Sequence, residues 1–246
     1  MTFSIVTATK NSLGTLTESY DSLVAQTETD WQWIVVDGGS NDGTQAWLQS
    51  LKDQRLNWIS EADNGIYDAL NKGLKMAKSE IIGFLHSDDV YADSDVLALI
   101  KIAFKEREIH GIYGDLVYFN TDKNCPIRSW KSSPFRKNRA AWGWMLPHPT
   151  LYLRKEVYDL IGDFNTSYRI AADYEFMLRV FKARIPLKYI PKTLVAMRYG
   201  GISSNWRNQF RKSKEDARVL RNQGYRFVYF RVLLKTLRKL NQYKTN

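Results

Sequence analysis

Strand-like and helix-like segments alternate through the first half of the chain, and this alternation limits the possible fold more than any other feature. Apolar runs such as 33–37 and 81–85 each end in a polar turn, and segments such as 66–77 carry apolar residues at helical spacing. This order is typical of β-α-β crossovers. The sequence therefore predicts an α/β protein whose mostly parallel sheet has helices on both faces.

Length and cysteine content exclude several other classes of protein. A chain of 246 residues can bury a substantial core. The single cysteine, Cys125, excludes an intramolecular disulfide framework and any zinc site made only of cysteines. No apolar run is long enough to span a membrane, and the first residues do not resemble a signal peptide. We therefore expect a cytoplasmic protein.

The net charge of +10 is concentrated at the C-terminal end. From Arg198 onward there are 13 basic residues and two acidic ones, so this segment carries +11 and the preceding residues carry −1. Its apolar residues recur at helical spacing between the basic ones: Trp206, Phe210, Ala217 and Leu220, then Phe230, Leu233, Leu234, Leu237 and Leu240. Such basic amphipathic helices either lie on an anionic membrane or pack on the rest of the protein.

Two acidic turns follow predicted strands and should lie at the same edge of the sheet. Asp37 precedes Gly38-Gly39, and Asp88-Asp89 follows the strand 81–85. A carboxylate beside glycines suits recognition of a nucleotide, and paired carboxylates suit Mg²⁺ or Mn²⁺. Turn formation and helix capping explain the same residues without any ligand.

Two further acidic residues precede predicted helices. Asp63 is either a helix-capping neighbour or a ligand-binding group, and Asp173 is either a helix cap or a general base. Glu175 lies two positions after Asp173 and would not share its helix face, so we do not expect the two to act as a pair.

Together these segments resemble the family 2 glycosyltransferases, which have the GT-A fold with its Rossmann-like sheet. Four blocks in order over residues 2–204 carry the likeness. They are Ser4-Ile-Val-Thr-Ala-Thr-Lys-Asn11, Ile34-Val-Val-Asp-Gly-Gly-Ser-Asn-Asp-Gly-Thr44, residues 60–73 leading to Gly83-Phe-Leu-His-Ser-Asp-Asp89, and Gly162-Asp-Phe-Asn165 followed by Ala172-Asp-Tyr-Glu175. With Gly200-Gly-Ile-Ser203, the chain is most similar to bacterial exopolysaccharide and lipopolysaccharide transferases, including the colanic-acid type.

The resemblance implies a role for each matching residue. Asp37 and Asp63 would contact the nucleotide of a sugar donor, and Thr7 would line the same pocket. Asp88, with Asp89, would hold Mg²⁺ or Mn²⁺ on the donor diphosphate. Asp173 would deprotonate the acceptor hydroxyl and so invert the anomeric carbon. The family often has Asp where Gly38 and His86 stand, which leaves base recognition, and a metal role for His86, open.

The resemblance also implies partners and domain organisation. Residues 1–204 would form the catalytic domain, with a nucleotide-sugar half at 1–120 and an acceptor half at 121–204, and residues 205–246 a basic helical tail. A UDP-sugar is expected before a GDP-sugar, with a saccharide or lipid-linked acceptor in surface polysaccharide synthesis. The tail lies outside the strongest resemblance, and its basic amphipathic pattern places it either at the inner face of the cell membrane or against the catalytic body. The alternatives are a nucleotidyltransferase and a basic nucleic-acid-binding module, although no nucleic-acid partner is expected.

Overall fold

The computed structural model describes residues 1–120, 125–136, 142–200, 206–240 and 242, the side chains of 206–209 and 240 excepted. The first half of the sheet consists of four parallel strands in the order β3-β2-β1-β4: β1 Phe3–Thr9, β2 Trp31–Asp37, β3 Leu56–Ser60 and β4 Ile81–Phe84. Every residue of β1 and β4 is buried, as expected for strands covered on both faces.

Helices cover both faces of this half of the sheet, as the sequence predicts. They are α1 Leu13–Val24, α2 Thr44–Ser50, α3 Ile66–Met76 and α4 Val96–Ala103. Ile5 of β1 packs in one core cluster with residues of α1, α2 and α4, whereas Val6 packs in another with α3. Successive side chains of a strand point to opposite faces, so the continuous apolar runs are explained by these two cores.

The second half of the sheet is mixed rather than parallel. Its elements are β5 Asp89–Tyr91, β6 Gly111–Phe119, β7 Arg128–Trp130, β8 Tyr152–Arg154, α5 Lys155–Ile161, α6 Ala172–Lys182 and β9 Leu187–Arg198. Only β6 and β9 pair in parallel here, and β8 enters antiparallel between β4 and β6. The prediction of a mostly parallel sheet therefore holds for β1–β4. The three-residue strands β5, β7 and β8 are too short to show periodicity.

Two C-terminal helices, α7 Trp206–Asn222 and α8 Val228–Leu240, pack on the rest of the protein. Ala217, Val219, Leu220 and Val232 are buried in the core cluster that contains α3 and α6. Gly143 approaches α8 so closely that an added Cβ would lie 2.9 Å from the backbone nitrogen of Lys235. The packing interpretation of the tail is therefore confirmed for these residues.

The outer face of α8 is apolar and exposed. Its uncovered side chains, with Phe227 just before the helix, are Phe227, Tyr229, Phe230, Leu233 and Leu237, and we call this set the α8 outer face. Within the part of the chain that is described, no helix is long and apolar enough to cross a membrane.

The sequence also singles out residues that fall beyond the described ones. Gly201, Ile202 and Ser203, which belong to the Gly200–Ser203 segment of the sequence resemblance, lie outside them. The side chains of Trp206 and Leu240 do so as well.

Candidate active site

The carboxyl ends of β1, β2, β3 and β4 meet at one edge of the sheet, which is where ligands bind in open α/β proteins. Thr9 ends β1 directly opposite Asp37, the last residue of β2. The Asp88 turn follows β4, the neighbour of β1 on the other side. The structure thus places both predicted acidic turns at this edge, with Thr9 at the end of β1 beside them.

Asp37 organises the turn at the end of β2. Its side chain is fully buried and accepts hydrogen bonds from the backbone nitrogen of Ser40 at 2.9 Å and from the hydroxyl of Ser60 at 2.5 Å. The Ser40 hydroxyl donates a further hydrogen bond to it. Because protein donors reach both oxygens, Asp37 holds the shape of this turn, and its contact with a nucleotide stays a prediction. Asp42, in the same turn, caps α1 by accepting from the backbone nitrogen of Leu13 at 2.9 Å.

Asp63 and Gly38 are in direct contact. Asp63 is half-buried, and one carboxylate oxygen accepts the backbone N–H of Gly65 at 2.9 Å. Its other oxygen fills the space next to the α-carbon of Gly38, because a Cβ added there would lie only 2.4 Å away. The Asp63 carboxylate thus takes up the space that a side chain at position 38 would need.

The sequence prediction that Thr7 lines the donor pocket is not supported. The Thr7 hydroxyl is fully buried, donates to the carbonyl of Leu85 at 2.6 Å and accepts from the Trp33 indole at 2.9 Å. Thr9, two residues further along β1, has a buried hydroxyl with no hydrogen-bond partner in the described part of the chain. Thr9 therefore fits the predicted role better, and its position at the very end of the strand is the signal that distinguishes it.

The two carboxylates of the acidic turn have different environments. Asp88 is half-buried and has no hydrogen bond or ion pair with the described residues. Asp89 is fully buried in β5, and neither of its oxygens has a hydrogen-bond partner among the described residues. Burial, with the charge of Asp88 beside it, raises the pKa of Asp89 well above its usual range. The structure does not bring Asp89 to the cleft.

Asp88 fits a divalent cation as a single protein ligand. Among the described residues, no group of three or more His, Cys, Asp or Glu side chains could hold a metal ion. Mg²⁺ keeps several waters and is bound through one or two carboxylates plus substrate phosphates, so one unpartnered carboxylate suits it. His86, whose Nδ1 also lacks a partner, lies close enough for Asp88 to affect its pKa.

Asp173 lies at the start of α6 and is linked to α3 through Tyr67. The Tyr67 hydroxyl donates to the carbonyl of Ile170 at 2.9 Å and lies 3.3 Å from Oδ1 of Asp173. Asn71, also in α3, exchanges two hydrogen bonds with the backbone of Phe164, at 2.8 and 2.9 Å. The helix that follows Asp63 therefore holds the segment that carries Asp173. Tyr67 lies within residues 60–73, a block of the sequence resemblance in which no role is predicted for it.

Positive charge keeps Asp173 ionised. Burial alone would raise its pKa, but Lys212, His148 and Lys235 outweigh burial and hold the pKa below its usual value. Lys212 belongs to α7 and Lys235 to α8. His148 is itself buried beside Phe84, and burial lowers its pKa to about 4, so at neutral pH it is uncharged and the positive charge near Asp173 comes from Lys212 and Lys235. Asp173 is thus a carboxylate ready to accept a proton at neutral pH.

Glu215 of α7 fastens the backbone just before α6. Its carboxylate accepts the backbone N–H of Ile170 at 2.8 Å and of Ala171 at 3.1 Å. Glu175, by contrast, is buried and paired with Arg179 at 2.9 Å. Glu175 therefore has a structural role, in agreement with the expectation that it does not pair with Asp173.

Comparison with known proteins identifies the family. Residues 4–162 match the family model described as Glycosyl transferase family 2. The chain is a family 2 glycosyltransferase. Its relatives include a PGL/p-HBAD biosynthesis glycosyltransferase of Mycobacterium bovis (strain BCG / Pasteur 1173P2), 30% identical over 209 residues, covering 82% of this chain and 79% of the relative. An uncharacterized glycosyltransferase of Mycobacterium tuberculosis (strain CDC 1551 / Oshkosh) is 32% identical over 181 residues, with 72% and 68% covered.

Solved structures of other glycosyltransferases share the fold. S. aureus TarS 1-349 in complex with UDP-GlcNAc has a TM-score of 0.72 at 18% identity, covering 98% of this family 2 glycosyltransferase and 72% of TarS 1-349. The mannosyltransferase PcManGT from Pyrobaculum calidifontis, in complex with GDP-Man and Mn²⁺, has a TM-score of 0.67 at 15% identity, with 94% and 69% covered. The predicted GT-A fold is confirmed, and glycosyltransfer is favoured over the alternative of nucleotidyl transfer.

Proposed function

We propose that this glycosyltransferase inverts the anomeric carbon as it transfers a sugar from a nucleotide-sugar to an acceptor hydroxyl. The observation that carries the proposal is the contact between Tyr67 and Asp173, because it joins the helix after Asp63 to an ionised carboxylate. The proposed donor-binding residue Asp63 and the proposed base Asp173 are thereby both positioned by α3. The nucleotide would contact Asp63 and Thr9, in a turn shaped by Asp37.

The reaction is a single displacement. Asp173 takes the proton of the acceptor hydroxyl as its oxygen attacks the anomeric carbon, and the bond from that carbon to the diphosphate oxygen breaks on the opposite face. The nucleoside diphosphate leaves with the bonding electron pair. Asp88 would hold Mg²⁺ or Mn²⁺, which neutralises charge developing on the leaving diphosphate.

A panel of nucleotide-sugars tests this proposal. We expect slow hydrolysis of one donor, a UDP-sugar before a GDP-sugar, measured as released nucleoside diphosphate and stopped by EDTA. The UDP-sugar is expected from the sequence resemblance. Two solved structures that share this fold contain UDP-GlcNAc in one case and GDP-Man in the other. Asp173→Asn should abolish transfer, and full transfer activity in Asp173→Asn would overturn the assignment of the base.

The acceptor is proposed to be a saccharide or lipid-linked saccharide of bacterial surface polysaccharide synthesis, used at an anionic membrane. The α8 outer face supports this proposal, since Phe230 and Leu233 are each 53% exposed while Arg226 and Arg238 lie exposed beside them. Aromatic and leucine side chains with flanking basic residues suit the surface of an anionic bilayer.

Vesicle co-sedimentation tests the membrane proposal. Leu233→Ser should reduce binding to phosphatidylglycerol vesicles, while Leu160→Ser, at an exposed leucine of α5, should not. Equal binding by both variants would contradict the proposal.

A further inference from the structure

Three lysines of the two C-terminal helices lie on facing sides of those helices near Asp173. They are Lys212 of α7, and Lys235 and Lys239, one helical turn apart in α8, and we call them the basic cluster. Lys212 and Lys235 both lower the pKa of Asp173, and the same two lysines lower the pKa of Lys239. The cluster therefore lies between the proposed base and the C-terminal end of α8.

Among the described residues, one carboxylate forms an ion pair with the basic cluster. Asp216 pairs with Lys235 at 2.8 Å, and the two side chains are only 6% and 12% exposed. Lys235 also lies 3.4 Å from the centre of the Tyr174 ring, next to Asp173. Neither Lys212 nor Lys239 forms an ion pair with any acid in the described part of the chain, although both are half-buried. A partly buried positive charge without an ion-pair partner is unfavourable, and a bound anion would stabilise it.

Repulsion within the cluster is apparent at Lys239. Burial together with the charges of Lys212 and Lys235 lowers its pKa to about 8. An anion bound among these side chains would relieve the repulsion. Phosphate and diphosphate groups are natural ligands, because lysine ammonium groups bind them as point charges.

We propose that Lys212, Lys235 and Lys239 bind a phosphate or diphosphate group of the acceptor, whose attacking hydroxyl lies at Asp173. This inference rests on the proposed function and makes its acceptor more specific: a saccharide that carries a phosphate close to the hydroxyl to be glycosylated. The attached group, whether a lipid or a further polymer unit, would leave along α8.

Isothermal titration with inorganic pyrophosphate in EDTA tests the site. EDTA removes the divalent metal through which pyrophosphate would otherwise bind at Asp88. We expect one pyrophosphate per chain, bound at least about 10-fold more weakly by Lys212→Ala and Lys239→Ala. Lys214→Ala is the matched control, because Lys214 is exposed on the same helix as Lys212. No binding by the wild-type chain, or equal binding by all variants, would overturn the proposal.

Two further measurements distinguish a phosphate of the acceptor from a phosphate of the donor and from a lipid headgroup. Added UDP should leave the pyrophosphate affinity unchanged, whereas competition would assign the cluster to the donor and overturn the proposal. Loss of phosphatidylglycerol-vesicle binding in Lys212→Ala, with unchanged pyrophosphate affinity, would instead assign it to lipid headgroups. Pyrophosphate binding in EDTA requires no turnover and donor hydrolysis requires no acceptor. The phosphate site and the glycosyltransferase mechanism can therefore fail independently.

Lys239→Gln guards against a folding artefact. It keeps most of the length of the side chain and removes the charge that the cluster repels, so it should fold at least as well as the wild-type chain. A Lys239→Gln chain that binds pyrophosphate as tightly as the wild type would also overturn the assignment.

Discussion

The carboxylate of Asp63 occupies the space beside the α-carbon of Gly38, where an added Cβ would lie 2.4 Å from Oδ2. Because Gly38 has no side chain, its turn leaves room for the carboxylate of Asp63, which comes from a different turn. Recognition of the nucleotide is expected to depend on both residues together.

Gly38→Ala should therefore weaken donor binding by displacing Asp63. The backbone at Gly38 does not have a positive φ, so alanine itself fits the turn. We expect the KM for the donor to rise about 10-fold, which corresponds to ~1.4 kcal/mol. Steady-state donor hydrolysis measures it. In an Asp63→Ala background the same change should cost little, and additive effects in this double-mutant cycle would contradict the coupling.

Tyr67→Phe should lower kcat for sugar transfer and leave the KM for the donor nearly unchanged. Removing the hydroxyl loses the hydrogen bond to Ile170 and the contact with Asp173. A hydrogen bond to a charged group contributes about 1.5–3 kcal/mol, so kcat should fall roughly 10- to 100-fold. Tyr158→Phe is the control, because the buried Tyr158 hydroxyl has no hydrogen-bond partner among the residues that the structure describes, and its loss should be neutral. Equal kcat in the two variants would exclude a role for Tyr67.

Asp88→Asn and Asp89→Asn should differ in their dependence on metal. Asp88→Asn removes the one accessible carboxylate of the turn and should abolish donor hydrolysis at any Mn²⁺ concentration. Asp89→Asn changes a side chain sealed from the cleft and should keep the wild-type Mn²⁺ half-saturation. Titration of donor hydrolysis with Mn²⁺ distinguishes them. A large increase in half-saturation for Asp89→Asn would show that Asp89 is a ligand after all.

Gly143→Ala should destabilise the protein more than Gly224→Ala. Both glycines have positive φ, at 80° and 78°, so each alanine costs about 1–2 kcal/mol of backbone strain. Only at position 143 does the new Cβ also meet backbone, 2.9 Å from the nitrogen of Lys235, which should add about 1–3 kcal/mol. Urea unfolding followed by tryptophan fluorescence gives both free energies. Equal values would mean that α8 is not held against this loop.

Sulfate binding to the basic cluster should weaken as the pH rises from 7 to 9. An anion binds the protonated form of Lys239, and with a pKa of about 8 most of that form is lost by pH 9. The affinity should then fall about 10-fold, since the charge of sulfate is constant in this range. The neighbouring charges are Lys212, Lys235, Arg128 and Asp216. Calorimetry at both pH values measures this, and Lys239→Gln should show no such change.

The first half of the fold could be predicted from the sequence because its signals are local. Long apolar strands separated by amphipathic helices define β1–β4 and α1–α4, and the rule for parallel sheets then puts Asp37 and Asp88 at one edge. The antiparallel entry of β8 could not be predicted, since three residues show no pattern and its partners β4 and β6 are distant in sequence.

The features of the candidate site that the sequence does not predict depend on contacts between residues that are distant in the chain. Tyr67 and Asp173 are 106 positions apart, and only packing of α3 against α6 brings them together. Thr7 and Thr9 look equivalent in a strand pattern, but only Thr9 ends the strand. Lys235 looks like a solvated basic residue, yet it is paired with Asp216 inside the protein.

The attachment of Glu215 to the backbone of Ile170 and Ala171 has a consequence for protein engineering. A chimera that received its last two helices from another transferase would receive new anchoring for the proposed base and new charges around it. Exchange of these helices should therefore alter the rate and the pH optimum of the enzyme. The proposed membrane attachment and the anchoring of the proposed base thus depend on the same two helices.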